Sequence, residues 1–173
     1  MTGMNSKTTL VLGGARSGKS VYAEKLLEES GKPMVYIATG EARDDEMIER
    51  IFQHQARRGA EWTTIEAPLD VCGALLEAGS GKIILLDCIT LWVANMMAVE
   101  LNIEAEVHKF CDLLAVSDSD VVIVSNEVGL GIVPDNTLAR KFRDEAGRAN
   151  QMIANACDRV VFIAAGQALL MKG

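Results

Sequence analysis

The sequence has no excess of positive charge, no long apolar stretch and no paired cysteine motif. Its 173 residues carry a net charge of −7, which argues against nucleic acid as the main partner, because phosphate backbones bind to basic faces. No apolar run approaches the roughly 18 residues that a membrane-spanning helix needs. The cysteines (Cys72, Cys88, Cys111 and Cys157) form no C-x-x-C pair. We therefore expect reduced, structural thiols in a cytoplasmic protein.

Histidine is also scarce. Only His54 and His108 are present, and His108 lies within a predicted helix, where we expect it to be solvated. His54 is close to Arg57 and Arg58, whose positive charges favour a neutral imidazole. From the residues alone a surface histidine is the simpler interpretation. The alternative is a nucleophile that accepts a nucleotidyl group.

The sequence does contain a phosphate-binding loop near its N-terminus. The loop follows an apolar run and consists of Gly13, Gly14, Ala15, Arg16, Ser17, Gly18, Lys19 and Ser20, which match the pattern G-x-x-x-x-G-K-[ST]. Glycines allow backbone N–H groups to point at phosphate oxygens. Lys19 supplies a cation for the β- and γ-phosphates, and the Ser20 hydroxyl can bind Mg²⁺. The loop therefore predicts binding of a nucleoside triphosphate with Mg²⁺.

Strands and helices are predicted to alternate along the chain. We expect strands at about 8–12, 34–38, 61–66, 82–87, 120–125 and 159–166, and a short edge strand at about 169–172. We expect helices at about 20–29, 67–78, 88–97, 100–116 and 137–157, and a projecting helical arm at about 41–60. This pattern predicts a single α/β domain spanning 1–173, with a mostly parallel sheet and helices on both of its faces.

Polar residues follow two of the buried strands, at the edge where open α/β sheets bind ligands. Asp87 ends one apolar strand and is predicted to hold Mg²⁺, directly or through water; the alternative is a surface acid. Asn126 and Glu127 follow another strand and are candidate site residues. Glu127 could act as a base, orient water around Mg²⁺ or accept a hydrogen bond from a sugar hydroxyl. The alternative is a buried acid bonded to backbone donors.

Several further segments, together with the loop, carry a resemblance to a known family. They are Tyr36–Thr39, Asp44–Met47 with Arg50 and Ile51, Asn126–Pro134, Phe142–Asp144, and Gly147, Arg148, Asn150 and Gln151. The chain resembles, from Thr9 to its C-terminus, the bifunctional adenosylcobinamide kinase / adenosylcobinamide-phosphate guanylyltransferase family of cobalamin biosynthesis. The segment Asn126–Pro134 is far more specific to this family than the phosphate-binding loop.

The resemblance implies a RecA-like P-loop NTPase fold, a trimer and two reactions. In the first, ATP or GTP phosphorylates the hydroxyl of the aminopropanol arm of adenosylcobinamide. In the second, GTP transfers GMP to an enzyme histidine, and the GMP passes to the cobinamide phosphate to give adenosylcobinamide-GDP. A large corrinoid needs an apolar surface. Trp92, Met96 and Met97 are candidates for it, although packing in the core is the preferred interpretation of these three residues.

The resemblance also implies roles for individual residues. Gly13–Ser20 would hold the triphosphate, with Ala38, Thr39, Gly40, Glu66 and Asp87 around the nucleotide and its Mg²⁺, and Arg57 and Arg58 at the GTP site. Many family members have two adjacent histidines in the arm, where this chain has Gln53 and His54. We assign the nucleophile to His54.

Two other functions stay open. One is a P-loop small-molecule kinase without guanylyl transfer, which is the case if the family's nucleophile corresponds to Gln53. The other is a nucleotide-binding switch, although the chain has no guanine-reading Asn-Lys-x-Asp motif.

Overall fold

Seven strands form one sheet in the computed structural model, which describes residues 7–41, 59 and 61–173. The strands are β1 (Thr8–Gly13), β2 (Met34–Ala38), β3 (Trp62–Glu66), β4 (Ile83–Asp87), β5 (Asp120–Asn126), β6 (Arg159–Ala164) and β7 (Gln167–Lys172). Their order is β3-β2-β4-β5-β1-β6-β7. All neighbouring pairs are parallel except β6 and β7. The predicted, mostly parallel sheet is confirmed.

Five helices are described. They are α1 (Lys19–Ser30), α2 (Val71–Ala78), α3 (Ile89–Ala98), α4 (Ile103–Val116) and α5 (Thr137–Ala156). Asn136 caps α5, since its side chain accepts a 2.7 Å hydrogen bond from the N–H of Ala139.

Two predicted helix starts are wrong by a few residues. The helix expected from about 67 begins at Val71, because the Asp70 side chain accepts a 2.8 Å hydrogen bond from the N–H of Gly73 and caps α2 there. The helix expected from about 100 begins at Ile103, because Asn102 caps α4 in the same way. In each case a capping side chain outweighs the propensity of the residues before it.

The described helices cover the two faces of the sheet unequally. On one face, α1 packs Ala23, Leu26 and Leu27 against the central strands. On the other face, α2, α3, α4 and α5 share a larger core with alternate residues of the same strands. Both faces are covered, as strands of continuous apolar sequence require.

The apolar stripe of α3 belongs to the larger core. Trp92 and Met96 are fully buried, and Met97 is half-buried against them. The ring of Trp92 meets Phe110 edge to face, with ring centroids 5.7 Å apart. The preferred interpretation of core packing is confirmed, and these residues offer no corrinoid surface in the described chain.

The C-terminal hairpin differs in detail from the prediction. The expected strand at about 159–166 ends at Ala164, because Ala165 and Gly166 both have positive φ angles and form the turn into β7. The expected edge strand is present as β7, and it runs antiparallel because so short a turn returns the chain alongside β6. The predicted arm lies almost entirely outside the described residues.

Candidate active site

The phosphate-binding loop joins β1 to α1 and depends on two glycines. A Cβ atom on Gly13 would lie 2.5 Å from the Ser17 Oγ and 2.6 Å from the Ile163 carbonyl oxygen. Gly18 has a φ of 98°, in the left-handed region, and a Cβ there would lie 3.3 Å from the Cα of Gly166. The N–H of Gly166 donates a 2.8 Å hydrogen bond to the Ser17 carbonyl. The turn between β6 and β7 therefore supports the loop from behind.

Lys19 is folded back onto the loop. Its side chain is only 8% exposed, and its Nζ donates a 2.9 Å hydrogen bond to the carbonyl oxygen of Gly14. Burial lowers the pKa of Lys19, and the nearby ionisable groups of Cys88 and Asp87 oppose that shift. The ammonium group thus lies in a poorly hydrated place, where an anionic phosphate would stabilise its charged form.

Asp87 ends β4 close to this lysine, as its effect on the Lys19 pKa indicates. The hydroxyl of Tyr36 on β2 donates a 3.2 Å hydrogen bond to the Asp87 Oδ2. In the sheet register, Ala38 is paired with both Asp87 and Glu66, and Gly13 is paired with Asn126. The sequence-predicted residues of five strands therefore end at the same edge of the sheet, which we call the carboxyl edge.

A buried polar network follows Asp87, and the sequence reasoning missed it. The Thr39 hydroxyl accepts a 2.7 Å hydrogen bond from the N–H of Cys88 and donates a 2.8 Å bond to the Cys88 carbonyl. The peptide bond between Asp87 and Cys88 is cis. The amide of Asn95, on α3, donates to the Thr39 carbonyl at 2.8 Å. Thr39 is predicted to lie near the nucleotide, and in the structure its hydroxyl holds the ends of β2 and β4 together.

The thiol of Cys88 is part of the same network. Its sulfur lies 3.2 Å from the hydroxyl of Thr90, and complete burial raises the pKa of Cys88 to about 11. The thiol is therefore protonated at neutral pH and is a poor nucleophile. The four cysteines are all free, as expected. No sequence pattern signalled that Cys88 would lie beside a candidate metal ligand.

Asn126 connects this network to α5. Its side-chain amide donates a 2.6 Å hydrogen bond to the Thr90 hydroxyl. Its backbone carbonyl accepts a 3.3 Å bond from the Asn150 amide, and Asn150 also accepts a 2.6 Å bond from the Ser125 hydroxyl. Asn150 is one of the residues that carry the family resemblance, and no role was predicted for it. Its bonds show that it fixes the end of β5.

Glu127 lies directly against the phosphate-binding loop. Its N–H donates a 3.0 Å hydrogen bond to the Gly13 carbonyl, and its Oε1 accepts a 2.5 Å bond from the N–H of Gly129. A cavity of about 350 Å³ opens beside it. The loop residues Gly14–Ser17 form one wall, and Glu127, Leu130 and Phe162–Ala165 form the remainder.

The other predicted residues are less closely grouped. Glu66 ends the edge strand β3 and is exposed, four strand spacings from β1 or about 19 Å. Ser20 is half-buried in the first turn of α1, and Gly40 is half-buried after β2. His54, Arg57 and Arg58 lie outside the described residues. His108 is exposed on α4, as expected.

A glycine loop that closes on its own lysine, with an acid at the end of β4 and one strand between β4 and β1, defines a P-loop NTPase of the RecA-like type. Two solved structures share the fold. The RadB recombinase superposes with a TM-score of 0.54 at 18% identity, over 90% of this chain and 73% of the other. A protein from Pyrococcus horikoshii, Project ID PH0250, superposes with a TM-score of 0.52 at 9% identity, over 96% and 86%. Within this class the chain belongs to the cobinamide kinase / cobinamide phosphate guanyltransferase family, whose model matches residues 9–171.

Relatives from three bacteria are similar over almost their whole length. The bifunctional adenosylcobalamin biosynthesis protein CobP of Pseudomonas aeruginosa is 45% identical over 167 residues, which cover 95% of this chain and 96% of the relative. The CobU proteins of Salmonella typhimurium and Escherichia coli are 40% and 37% identical, over 94% of this chain and 98% of each relative. The predicted family is confirmed.

Proposed function

We infer that this protein is a bifunctional enzyme that phosphorylates adenosylcobinamide and then converts the phosphate to adenosylcobinamide-GDP. The observation that carries the inference is the family match over residues 9–171, which includes the complete phosphate-binding loop. The described geometry agrees with it, because a buried lysine, a preformed loop and a strand-end acid meet at one edge of the sheet.

In the kinase step the chain binds and orients the triphosphate. The loop N–H groups and the α1 N-terminus face the phosphates, and Lys19 leaves the Gly14 carbonyl to bind β- and γ-phosphate oxygens. Little covalent chemistry is asked of the protein, since positioning and charge stabilisation supply most of the catalysis.

We propose that Ser20 and Asp87 hold Mg²⁺ between them. Both offer oxygen ligands, which this hard cation prefers, and both flank the position of Lys19. No group of three or more histidine, cysteine or acidic side chains within the described residues could bind a metal ion. Such a group is not required, because Mg²⁺ keeps several waters and substrate oxygens. When bound, the ion would neutralise negative charge on the phosphates.

The second step requires a nucleophile, and we propose His54. Its imidazole nitrogen would attack the α-phosphorus of GTP, forming a P–N bond while the bond to the α–β bridging oxygen breaks and pyrophosphate leaves. A phosphate oxygen of the cobinamide phosphate would then displace the histidine, forming a P–O bond as the P–N bond breaks.

The remaining assignments rest on the resemblance and are proposed with it. Ala38, Thr39, Gly40 and Glu66 would lie along the nucleotide, and Arg57 and Arg58 would bind GTP. Thr39 would act by positioning the end of β2, because its hydroxyl, N–H and carbonyl are bonded to Cys88, Asp87 and Asn95. A trimeric assembly, with adenosylcobinamide, ATP and GTP as its small-molecule partners, and a location in the cytoplasm belong to the same proposal. The described helices include none that is long and apolar enough to cross a membrane.

Labelling with GTP tests the histidine. The wild-type protein, incubated with α-phosphate-labelled GTP and no corrinoid, should retain an acid-labile GMP adduct that mass spectrometry maps to His54. His54→Ala should lose the adduct and keep cobinamide phosphorylation, whereas the exposed His108→Ala, as the matched control, should keep both. Retention of the adduct by His54→Ala would refute the assignment. A wild-type protein that phosphorylates cobinamide without forming any adduct would favour the kinase alone.

The nucleotide-binding switch is tested by substrate dependence. A switch hydrolyses or exchanges nucleotide at a rate that cobinamide does not change. We expect ADP release to require cobinamide and to match the phosphorylated product in amount.

A further inference from the structure

The cavity beside the phosphate-binding loop has a second wall, formed by Glu127, Leu130 and the end of β6, which has no role in the nucleotide chemistry described above. Its volume of about 350 Å³ accommodates a short side arm of a substrate and is far too small for a corrin ring. We propose that this cavity receives the alcohol that is phosphorylated, with Glu127 as the base that accepts its proton. The proposal rests on the function proposed above and names the acceptor's place within the site.

The position of Lys19 shows which end of the triphosphate the cavity adjoins. In P-loop enzymes this lysine reaches the β- and γ-phosphates. Here its Nζ is 2.9 Å from the Gly14 carbonyl, so Gly14 marks the end of the loop that receives the transferred phosphoryl group. Gly14 also lines the cavity. A hydroxyl in the cavity would therefore approach the γ-phosphorus rather than the ribose end of the nucleotide.

The lining of the cavity carries one acid and one base, Glu127 and Arg16. The guanidinium of Arg16, a residue of the phosphate-binding loop, attracts phosphate oxygens, whereas the Glu127 carboxylate repels them and attracts a hydroxyl proton. The Glu127 wall therefore suits the alcohol. The Oε1 of Glu127 is held by the N–H of Gly129 and its backbone by the Gly13 carbonyl. These two bonds fix the carboxylate relative to the loop, as a general base requires.

The outer rim of the cavity suits an apolar substrate. Leu130 lines the cavity and is 81% exposed, and Ile132, two residues further on, is 98% exposed. A large ring attached to the arm would lie against these side chains. Their exposure supports the proposal, since contiguous exposed apolar residues generally mark binding surfaces.

The proposed step balances. The hydroxyl oxygen forms a bond to the γ-phosphorus as the bond from that phosphorus to the β–γ bridging oxygen breaks. The nucleoside diphosphate leaves with the electron pair, and the hydroxyl proton passes to the Glu127 carboxylate. No further reactant is needed.

Steady-state kinetics of Glu127→Gln test the base. We expect the kcat of cobinamide phosphorylation to fall by about 100-fold, while the KM for ATP and the GMP adduct formed from GTP without corrinoid stay at wild-type levels. Glu77→Gln, on the exposed face of α2, is the matched control and should behave as wild type. Wild-type kcat in Glu127→Gln would overturn the proposal, as would a raised KM for ATP, which would place the nucleoside in the cavity.

A second variant tests the rim independently of the base. Leu130→Ser should raise the KM for cobinamide by about 5- to 10-fold through the lost apolar contact, with the KM for ATP unchanged, and Leu76→Ser, the same change at a 67% exposed residue of α2, should change neither. An altered oligomeric state with unchanged KM values would show that the rim contacts another copy of the chain, against the proposal.

The two proposals fail in different ways. If the wild-type protein does not phosphorylate cobinamide at all, the proposed function fails. If the wild-type protein is active and these variants behave as wild type, only the present inference fails.

Discussion

The polar residues at the two edges of the sheet differ in how fully they are bonded within the protein. At the amino edge, where the parallel strands begin, charges and hydroxyls are bonded within the protein. Asp158 accepts 3.0 Å hydrogen bonds from both the N–H and the hydroxyl of Thr8, and Lys32 forms a 2.6 Å ion pair with Asp120. At the carboxyl edge the buried ammonium of Lys19 donates to a neutral carbonyl, its one hydrogen-bond acceptor among the residues that the structure describes.

This difference separates polar groups that serve the fold from polar groups that serve a ligand. A paired group at the amino edge adds stability, and its loss exposes an unmet partner. The charged, partly desolvated group at the carboxyl edge lowers stability until an anion arrives. Substitutions at the two edges should therefore divide into those that reduce activity and those that reduce stability.

The largest effect is expected for Lys19→Met. Phosphoryl transfer should fall by about 1,000-fold, because the cation that stabilises the transferred group is lost. The free energy of unfolding without nucleotide should stay the same or rise, since a buried ammonium with a lowered pKa is replaced by an apolar side chain of similar length. Kinase assays and urea denaturation measure the two quantities. Lys25→Met, on the exposed face of the same helix, should change neither, and a strongly destabilised Lys19→Met would contradict the comparison.

The next effect is expected for Asp87→Asn, compared with Asp120→Asn. These residues are the last of β4 and the first of β5, so one acid lies at each edge. Asp87→Asn should lower kcat by about 100-fold at low Mg²⁺ and raise the Mg²⁺ concentration needed for half-maximal rate. Asp120→Asn should leave the Mg²⁺ dependence unchanged and cost at most about 1 kcal/mol, as partly exposed ion pairs do. An identical Mg²⁺ titration for Asp87→Asn and wild type would exclude the metal role.

A smaller effect, on stability rather than activity, is expected for Asp158→Ala. The change removes the acceptor of two hydrogen bonds from Thr8, and Thr8 is buried. We expect the free energy of unfolding to fall by about 1.5 kcal/mol, measured by urea denaturation, with kcat and both KM values unchanged. Adding Thr8→Val should lower the stability further, because the Thr8 hydroxyl also accepts a 2.9 Å hydrogen bond from the backbone N–H of residue 158. A tenfold loss of kcat would show that the amino edge also affects catalysis.

The smallest effect concerns pH and the buried thiol of Cys157 next to this edge. Burial raises the pKa of Cys157 from 9.0 to about 12, so folding favours the protonated thiol. The stability from this group is complete below pH 9 and is lost as pH rises from 9 towards 12. Between pH 8 and pH 10 the loss should be about 1 kcal/mol.

Cys157→Ala should remove this part of the pH dependence, and urea denaturation at the two pH values measures it. Lys19 acts in the opposite direction, because its lowered pKa makes folding more favourable as pH rises through its titration. The double variant Cys157→Ala/Lys19→Met, compared with each single variant, separates the contribution of the thiol to the pH dependence from that of the lysine. An unchanged pH dependence in Cys157→Ala would show that other groups control alkaline unfolding.

Much of the fold was predictable because most of the strands are continuous apolar runs in the sequence. The run Ile83–Leu86 and the acid that follows it place β4 and its polar end without any structural information. Strand order was not predictable, since it depends on how helices pack over the sheet. The insertion of β5 between β1 and β4 leaves no local trace in the sequence.

The site was predictable where one motif contains its own chemistry. The loop from Gly13 to Ser20 specifies a phosphate site by residue types at fixed spacing. The network of Thr39, Cys88 and Asn126 was not predictable, because it joins the ends of separate strands and its members have no fixed separation along the chain. The cavity beside Glu127 is likewise a property of assembled segments.

The contact between the phosphate-binding loop and the β6–β7 hairpin shows that the conformation of the loop depends on a distant part of the chain. Gly166 supplies a backbone N–H to the Ser17 carbonyl and a surface on which Gly18 rests. It does so only in a conformation with a φ of 74°. An eight-residue motif transplanted into another scaffold would lack this support, and so would a chain truncated before Gly166, although it would keep every residue of the motif. The phosphate site is therefore built from two separate segments of the chain, and the second of them, at Gly166, lies near the C-terminus.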